Sequence, residues 1–388
     1  MSGTIATNPN RQSGTIGAVP SATNDSSDPV RTTNPSTGVG TEWHNTTSGQ
    51  IFICTDATTN YNVWVGQRGT KIYGSIGVCF GGSDDGTRTE QMQYITIPTT
   101  SNAVNFGDMS AGYDVVNNQC CGNGSNDRLV SGGGMNLANA YVSTMEYVNA
   151  TVPGNATKFG DLTTTLQNCT STSNGTDDRG FFAGGYAGGS VDVADIKYIT
   201  ISSKSHASLF GDVGSNDCWD GGCATSGATT LDRAIIMGGG RSGSRNTVQY
   251  YKMSAYGNST GFGTLSTTRY ATSAMSNESR AICSGGYQYP NGDAGLGYCT
   301  LSCDYFTMAT TGNATVFGNM TGTVRYNMGG CDSGAYGDRG VLAGGYRPGI
   351  AGSNIIDYCT ISTTGNFTDF GDLLNNWSEQ GMASNGFS

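Results

Sequence analysis

Charge is the first thing this sequence has little of. Only 12% of its 388 residues are Asp, Glu, Lys or Arg, about half the share usual in globular domains. The 19 basic residues form no cluster and the net charge is −10, which argues against nucleic acid and anionic membrane as partners, since both need a basic footprint. Histidine is nearly absent, with His44 and His206 alone, so Ser-His-Asp or Cys-His chemistry has no support. No apolar run is long enough to suggest a membrane-spanning helix. The opening Met1-Ser2-Gly3-Thr4 lacks the basic and apolar regions of a secretory signal, so a reduced cytoplasmic site of synthesis is expected. The 12 cysteines then read as small buried thiols rather than disulfides. Pairs such as Cys218/Cys223 and Cys299/Cys303 lack metal-ligand spacing. No cofactor or metal is predicted.

What the sequence has is glycine, 61 residues of it, with 20 tyrosines and 13 phenylalanines. That much aromatic surface can build a core, so a turn-rich β protein is expected rather than a disordered chain. A period of roughly fifty residues dominates. Phe-Gly pairs recur at 106, 159, 210, 262, 317 and 370. Twelve residues before each phenylalanine stands a tyrosine: Tyr94, Tyr147, Tyr198, Tyr250, Tyr305 and Tyr358. Upstream lies a glycine pair, and five residues before it an arginine in five of six units: Arg128, Arg179, Arg233, Arg280 and Arg339, with Ile76 in the first. That arginine reads as a strand-start residue bonding neighbouring carbonyls.

Each unit reads as four strands. The first is made of small residues, such as Cys169-Thr170-Ser171-Thr172; the second ends at the glycine pair; the third carries the tyrosine, as in Tyr198-Ile199-Thr200-Ile201. Gly-Asn pairs at 154, 257, 312 and 365 are expected to form the tight turn before the fourth strand, with the positive φ such turns demand. Unit one lacks a first strand, and 376–384 aligns with the first strands of the other units. The expected fold is therefore all-β, a six-bladed propeller over 67–388 closed by its C-terminal strand. Residues 1–40 read as an extended polar arm. Residues 41–66 read as a small β-hairpin docking module with Trp43 and Trp64 on one face.

The units Arg-Gly-Phe-Phe-Ala-Gly-Gly (179–185), Tyr-Ile-Thr-Ile (198–201) and Gly-Asn-Ala-Thr-x-Phe-Gly (312–318) resemble the kelch-like repeats of bacteriophage tail and fibre proteins, those of marine and cyanobacterial phages above all. The stretch from Gly40 to Trp64 is similar to a short N-terminal module of such proteins. The resemblance implies a virion structural protein, assembled in the host cytoplasm: a tail, fibre or baseplate appendage, with a capsid decoration protein as the alternative. It implies other virion proteins as partners through the N-terminal segment, a homo-oligomer in the particle and host surface glycans as possible contacts. It carries over no catalytic residue.

A carbohydrate-degrading enzyme would need two placed carboxylates. Asp84-Asp85, Asp177-Asp178 and Asp192 to Asp195 are the candidates, and they read better as turn caps. The repeat is broken by length in unit five. There 19 residues separate Gly286 from Tyr305, against 11 to 13 elsewhere. The excess carries Tyr287, Tyr289 and Tyr298, and Tyr346-Arg347 of unit six is expected beside it. These five residues form the expected host-contact site, binding neutral sugars through stacking and hydrogen bonds.

Overall fold

The computed structural model describes residues 22–46, 51–66 and 75–386, apart from 28, 30–31, 60–61, 111–112, 114, 124–126, 189–190, 215–219, 228–230, 241–242, 289–297, 335–336, 348 and 350. The protein is all-β and divides into two compact units, Met1–Ile72 and Tyr73–Ser388.

The first unit is one four-stranded sheet. Its hairpin of Glu42–Asn45 and Ile51–Asp56 gains Val63–Gly66 on one side. On the other side Thr23–Asp25 pairs in parallel with Glu42–Asn45, so part of the polar arm is strand.

Among the described residues the second unit contains six sheets, each with four antiparallel strands at its core. Unit three is representative: Thr170–Ser173, Arg179–Ala183, Asp195–Thr200 and Ser208–Asp212, paired in order. In unit one the place of the first strand is taken by Gly381–Ser384, which pairs with Ile76–Phe80. A short hairpin from unit one, Ser83–Asp84 and Thr87–Arg88, extends the sheet of unit six by pairing with Trp377 and Ser378.

The Phe-Gly pair is a β-bulge. In every unit the register slips at the same place, one or two residues before the tyrosine, and the phenylalanine is the extra residue. The bulge turns each phenylalanine into the apolar layer between two sheets, where all six are buried. Six such layers exist, one for each neighbouring pair of sheets, including unit six against unit one.

The glycine after each phenylalanine has its own reason. The third-to-fourth-strand loop of the next unit lies on it, so that a Cβ at Gly211 would run into the carbonyl of Gly257, and one at Gly371 into that of Ser101. The Gly-Asn pairs belong to this docking. The asparagine Oδ1 accepts the N–H of the residue two after the bulge phenylalanine on the preceding sheet: Asp108 to Asn155, Asp212 to Asn258, Thr264 to Asn313, Asn319 to Asn366 and Asp372 to Asn102, at 3.0–3.2 Å. This corrects the expected tight turn. Of the four predicted pairs only Gly257 has positive φ, because the pair is spent on the neighbouring sheet rather than on reversing the chain.

The arginines do bond neighbouring carbonyls. Each guanidinium lies 4.3–5.5 Å from the centroid of its own unit's tyrosine ring and donates to a carbonyl of the next unit: Arg128 to Ile201, Arg179 to Met253, Arg233 to Met308, Arg280 to Ile361 and Arg339 to Ile97. The last bond joins unit six to unit one.

Candidate functional site

The residue two before each first strand has left-handed backbone. Asn117, Asn168, Asp220, Ala271, Asn327 and Glu379 all have φ between +51° and +61°, a region that Asn and Asp tolerate better than other side-chain-bearing residues. The conformation lets each N–H reach the carbonyl of its counterpart in a neighbouring sheet: Asn117 to Glu379, Asn168 to Asn117, Asp220 to Asn168, Ala271 to Asp220, Asn327 to Ala271 and Glu379 to Asn327, at 2.7–3.1 Å. These six bonds return to their starting point. Around the same centre the first strands enclose a polar cavity of about 60 Å³, room for one or two waters. Every sheet contributes to its lining, through Gln119, Ser171, Cys223, Ala274, Gly330 and Met382 among others.

Tyrosines gather beside the hydrogen-bonded circuit. Tyr270 and Tyr287 exchange backbone hydrogen bonds, as do Tyr326 and Tyr346. Their rings form a chain: Tyr270–Tyr287 at 5.3 Å, Tyr287–Tyr326 at 5.5 Å and Tyr326–Tyr346 stacked at 5.3 Å. Tyr298, 44% exposed, sits 5.7 Å from Tyr287. Two buried arginines fix the backbone next to this chain. Arg269 donates to the carbonyls of Gly285 and Ser302 and to Asp304; Arg325 donates to those of Gly344 and Ile355 and to Asp357. Each immediately precedes a tyrosine of the chain, Tyr270 or Tyr326.

Of the expected contact residues, Tyr287, Tyr298 and Tyr346 come together. Tyr289 lies outside the described residues. Arg347 is half-buried, its Nε has no hydrogen-bond partner, and its charge bears on that of Arg325. Tyr270 and Tyr326 complete the chain and went unnoticed in the sequence, where each stands alone after an arginine in a linking segment. Trp43 and Trp64 meet edge to face at 5.8 Å. Their indole N–H groups donate to the Ser27 and Thr33 carbonyls, so the pair ties down the arm within the first unit.

Carboxylates lie at both ends of the tyrosine chain. Burial, reinforced by Glu379, pushes Asp220 up to about 7, and the Asn168 side chain hydrogen-bonded to it opposes that rise. Glu379 is raised by burial too, against hydrogen bonds from Tyr346 and Asn117 and the charge of Arg88. Burial raises Tyr270 and Tyr326 to about 12, so both keep their hydroxyl protons at neutral pH. The expected contact site held one charged residue, Arg347; Asp220 and Glu379 act on tyrosines of the chain as well.

Four of the acids weighed for catalysis are engaged locally. Asp84 and Asp85 accept from Asn375 and Asn376 across the seam between units one and six. Asp178 accepts from Asn123 and from Ser202, and Asp195 pairs with Lys197 at 3.4 Å. Cys79, Cys120, Cys121, Cys169, Cys283, Cys303, Cys331 and Cys359 are free and buried. Burial lifts Cys79, Cys169 and Cys283 to about 12, which leaves them as unreactive thiols. No protein-family model matches the chain, and no curated protein matches its sequence.

Proposed function

We propose that the chain is a structural and host-contact protein of a bacteriophage virion, a tail, fibre or baseplate appendage, whose second unit is a closed six-bladed kelch-like propeller. The observation that carries the architecture is the circuit of six N–H···O=C bonds through Asn117, Asn168, Asp220, Ala271, Asn327 and Glu379. A row of sheets with free ends would leave such a series open. The swapped strand Gly381–Ser384 and the Arg339 bond to Ile97 support the same reading.

The role follows from the kelch-like repeat and from the tyrosine-rich centre. A body fastened the same way at each seam suits a particle appendage, and a chain of half-buried tyrosines is suited to sugar rings. The first unit anchors the body to other virion proteins. Two experiments test this reading. Deleting residues 1–66 should leave a folded second unit that no longer enters particles; incorporation at normal levels would overturn the anchoring role. Replacing Tyr287, Tyr298 and Tyr346 with serine should reduce adsorption to host cells, and undiminished adsorption would remove the contact site.

A further inference from the structure

We infer that Tyr256, in the loop between the third and fourth strands of unit four, is a platform for the ring of a neutral pyranose sugar. The loop lies at the end of its sheet away from the tyrosine chain, since Tyr287 and Tyr346 follow second strands whereas Tyr256 follows the third strand Arg245–Lys252. It is therefore a site separate from the contact proposed above and does not depend on it.

The repeat is broken at this position. The other units carry Thr100, Pro153, Lys204, Thr311 and Thr364 there, so the scaffold does not call for an aromatic ring. Tyr256 is 62% exposed, the most exposed aromatic side chain among the described residues, and it is nevertheless held in place. Its hydroxyl shares a hydrogen bond of 2.6 Å with that of Tyr198. Its ring lies 5.2 Å from Phe210 at 33°, which backs one face, and meets Tyr198 edge to face at 5.6 Å. The backbone is pinned too: the Gly257 N–H donates to the Phe210 carbonyl at 3.2 Å, and the Asp212 N–H donates to Asn258 at 3.0 Å. A ring fixed before binding loses little freedom on contact. Its open face is apolar and its edge carries two phenol oxygens. One O–H is spent within the pair, which leaves the second O–H and the remaining lone pairs for a ligand. The C–H face of a pyranose matches the ring and its hydroxyls match the edge. Arg179 donates to the Met253 carbonyl at 2.8 Å and lies against the Tyr198 ring, so its charge is engaged within the seam. Tyr198 and Tyr256 stand at 79° to each other. That is an open corner, whereas a proline-rich peptide docks in a groove lined by aromatic rings.

The full chain, with its tyrosine rings isotopically labelled, is titrated with cellohexaose, maltohexaose and deca-proline and followed by NMR. The Tyr256 ring signal, assigned by its loss in Tyr256→Thr, should shift and saturate with at least one of the sugars. Tyr256→Thr should melt with the wild type, because three other units carry threonine at this place. Tyr198→Phe keeps the corner but frees the Tyr256 hydroxyl, and should weaken the sugar about threefold. A sugar that shifts the signals of Tyr287, Tyr298 or Tyr346 but not that of Tyr256 overturns the platform and leaves the proposed host contact standing. A shift of Tyr256 by deca-proline and by neither sugar overturns the sugar assignment in favour of a peptide. No shift of Tyr256 with any probe overturns it outright. Marked destabilisation by Tyr256→Thr, with no sugar bound to the wild type, would make Tyr256 a scaffold residue.

Discussion

At the scale of single residues, one polar position recurs on the buried side of every third strand. Gln93, Glu146, Gln249, Asp304 and Asp357 stand immediately before the repeat tyrosine. Each accepts a hydrogen bond from the segment that follows the bulge phenylalanine of the preceding sheet: Leu374 to Gln93, Ser110 to Glu146, Gly214 to Gln249, Ser266 to Asp304 and Thr321 to Asp357. Lys197 occupies the position in unit three and, unable to accept, pairs with Asp195. Asp332 is a different case. It ends the first strand of unit six, is buried, and accepts from the Ser276 and Gly334 N–H groups, yet burial outweighs those bonds and raises it to about 7. Its folded pKa lies above the unfolded value, so between about pH 4 and 7 the folded state holds the extra proton. Stability must then fall as pH rises through that window, by up to roughly 4 kcal/mol if no other group compensates. Asp332→Asn cannot ionise and lacks that slope. It should melt below wild type at pH 5, where it offers one acceptor fewer, and the gap should close by pH 8. Parallel melting curves across this range would mean that Asp332 keeps its ordinary pKa. The arginines make a second residue-scale prediction. Arg339→Ala removes a ring contact and the bond to Ile97 across the seam between units six and one, and should cost about 1–2 kcal/mol in chemical denaturation. A loss near zero would reduce that arginine to a surface contact.

At the scale of elements, the C-terminal strand is the piece most exposed to a direct test. Gly381–Ser384 pairs with Ile76–Phe80, and Asn385 beyond it accepts from the N–H groups of Ser75 and Ile76. Truncation after Gln380 removes these bonds and exposes an unpaired edge. The shortened chain should aggregate or melt well below the full chain in calorimetry, and an unchanged melting temperature would show that this strand is dispensable. The strand was legible in advance because 376–384 aligns with the other first strands, and the four-strand order was legible because tyrosine, phenylalanine and glycine pair keep their spacing. The bulge was not, since a Phe-Gly pair in an alternating segment looks the same whether the register slips or holds. The docking of Gly-Asn was hidden for another reason. Its partner is a backbone N–H on the preceding sheet, roughly fifty residues away, and backbone groups leave no mark in a sequence. The tyrosine chain was half legible: the long segment of unit five marked Tyr287 and Tyr298, whereas Tyr270 and Tyr326 join them only because the first strands converge.

At the scale of the whole second unit, two kinds of fastening join unit six to unit one. One is the swapped strand Gly381–Ser384, which completes the sheet of unit one. The other is the set of fastenings repeated between neighbouring sheets, which cross the seam of units six and one as they cross the others. A circular permutant separates them. Ser75 and Asn385 are hydrogen-bonded, so a short Gly/Ser linker can join the ends of residues 73–388 without straining the fold. New ends between Thr163 and Thr164, where Thr163 is exposed, would fall between the fourth strand of unit two and the first strand of unit three. The four core strands of every sheet then come from one contiguous segment and no first strand is swapped. The fastenings of the opened seam remain: Asn168 to Asn117, Asn123 to Asp178, Arg128 to Ile201 and Ala207 to Asp161. If they suffice to hold neighbouring sheets together, the permutant should unfold in one cooperative transition. It should melt several degrees lower, by the amount that the interlocked strand had contributed through the unfolded and partly opened states. A permutant that cannot fold would show that the swapped strand is indispensable and that the repeated bonds alone do not hold the sheets together. One that melts in two separate transitions would show that the sheets on either side of the opened seam no longer unfold as a unit.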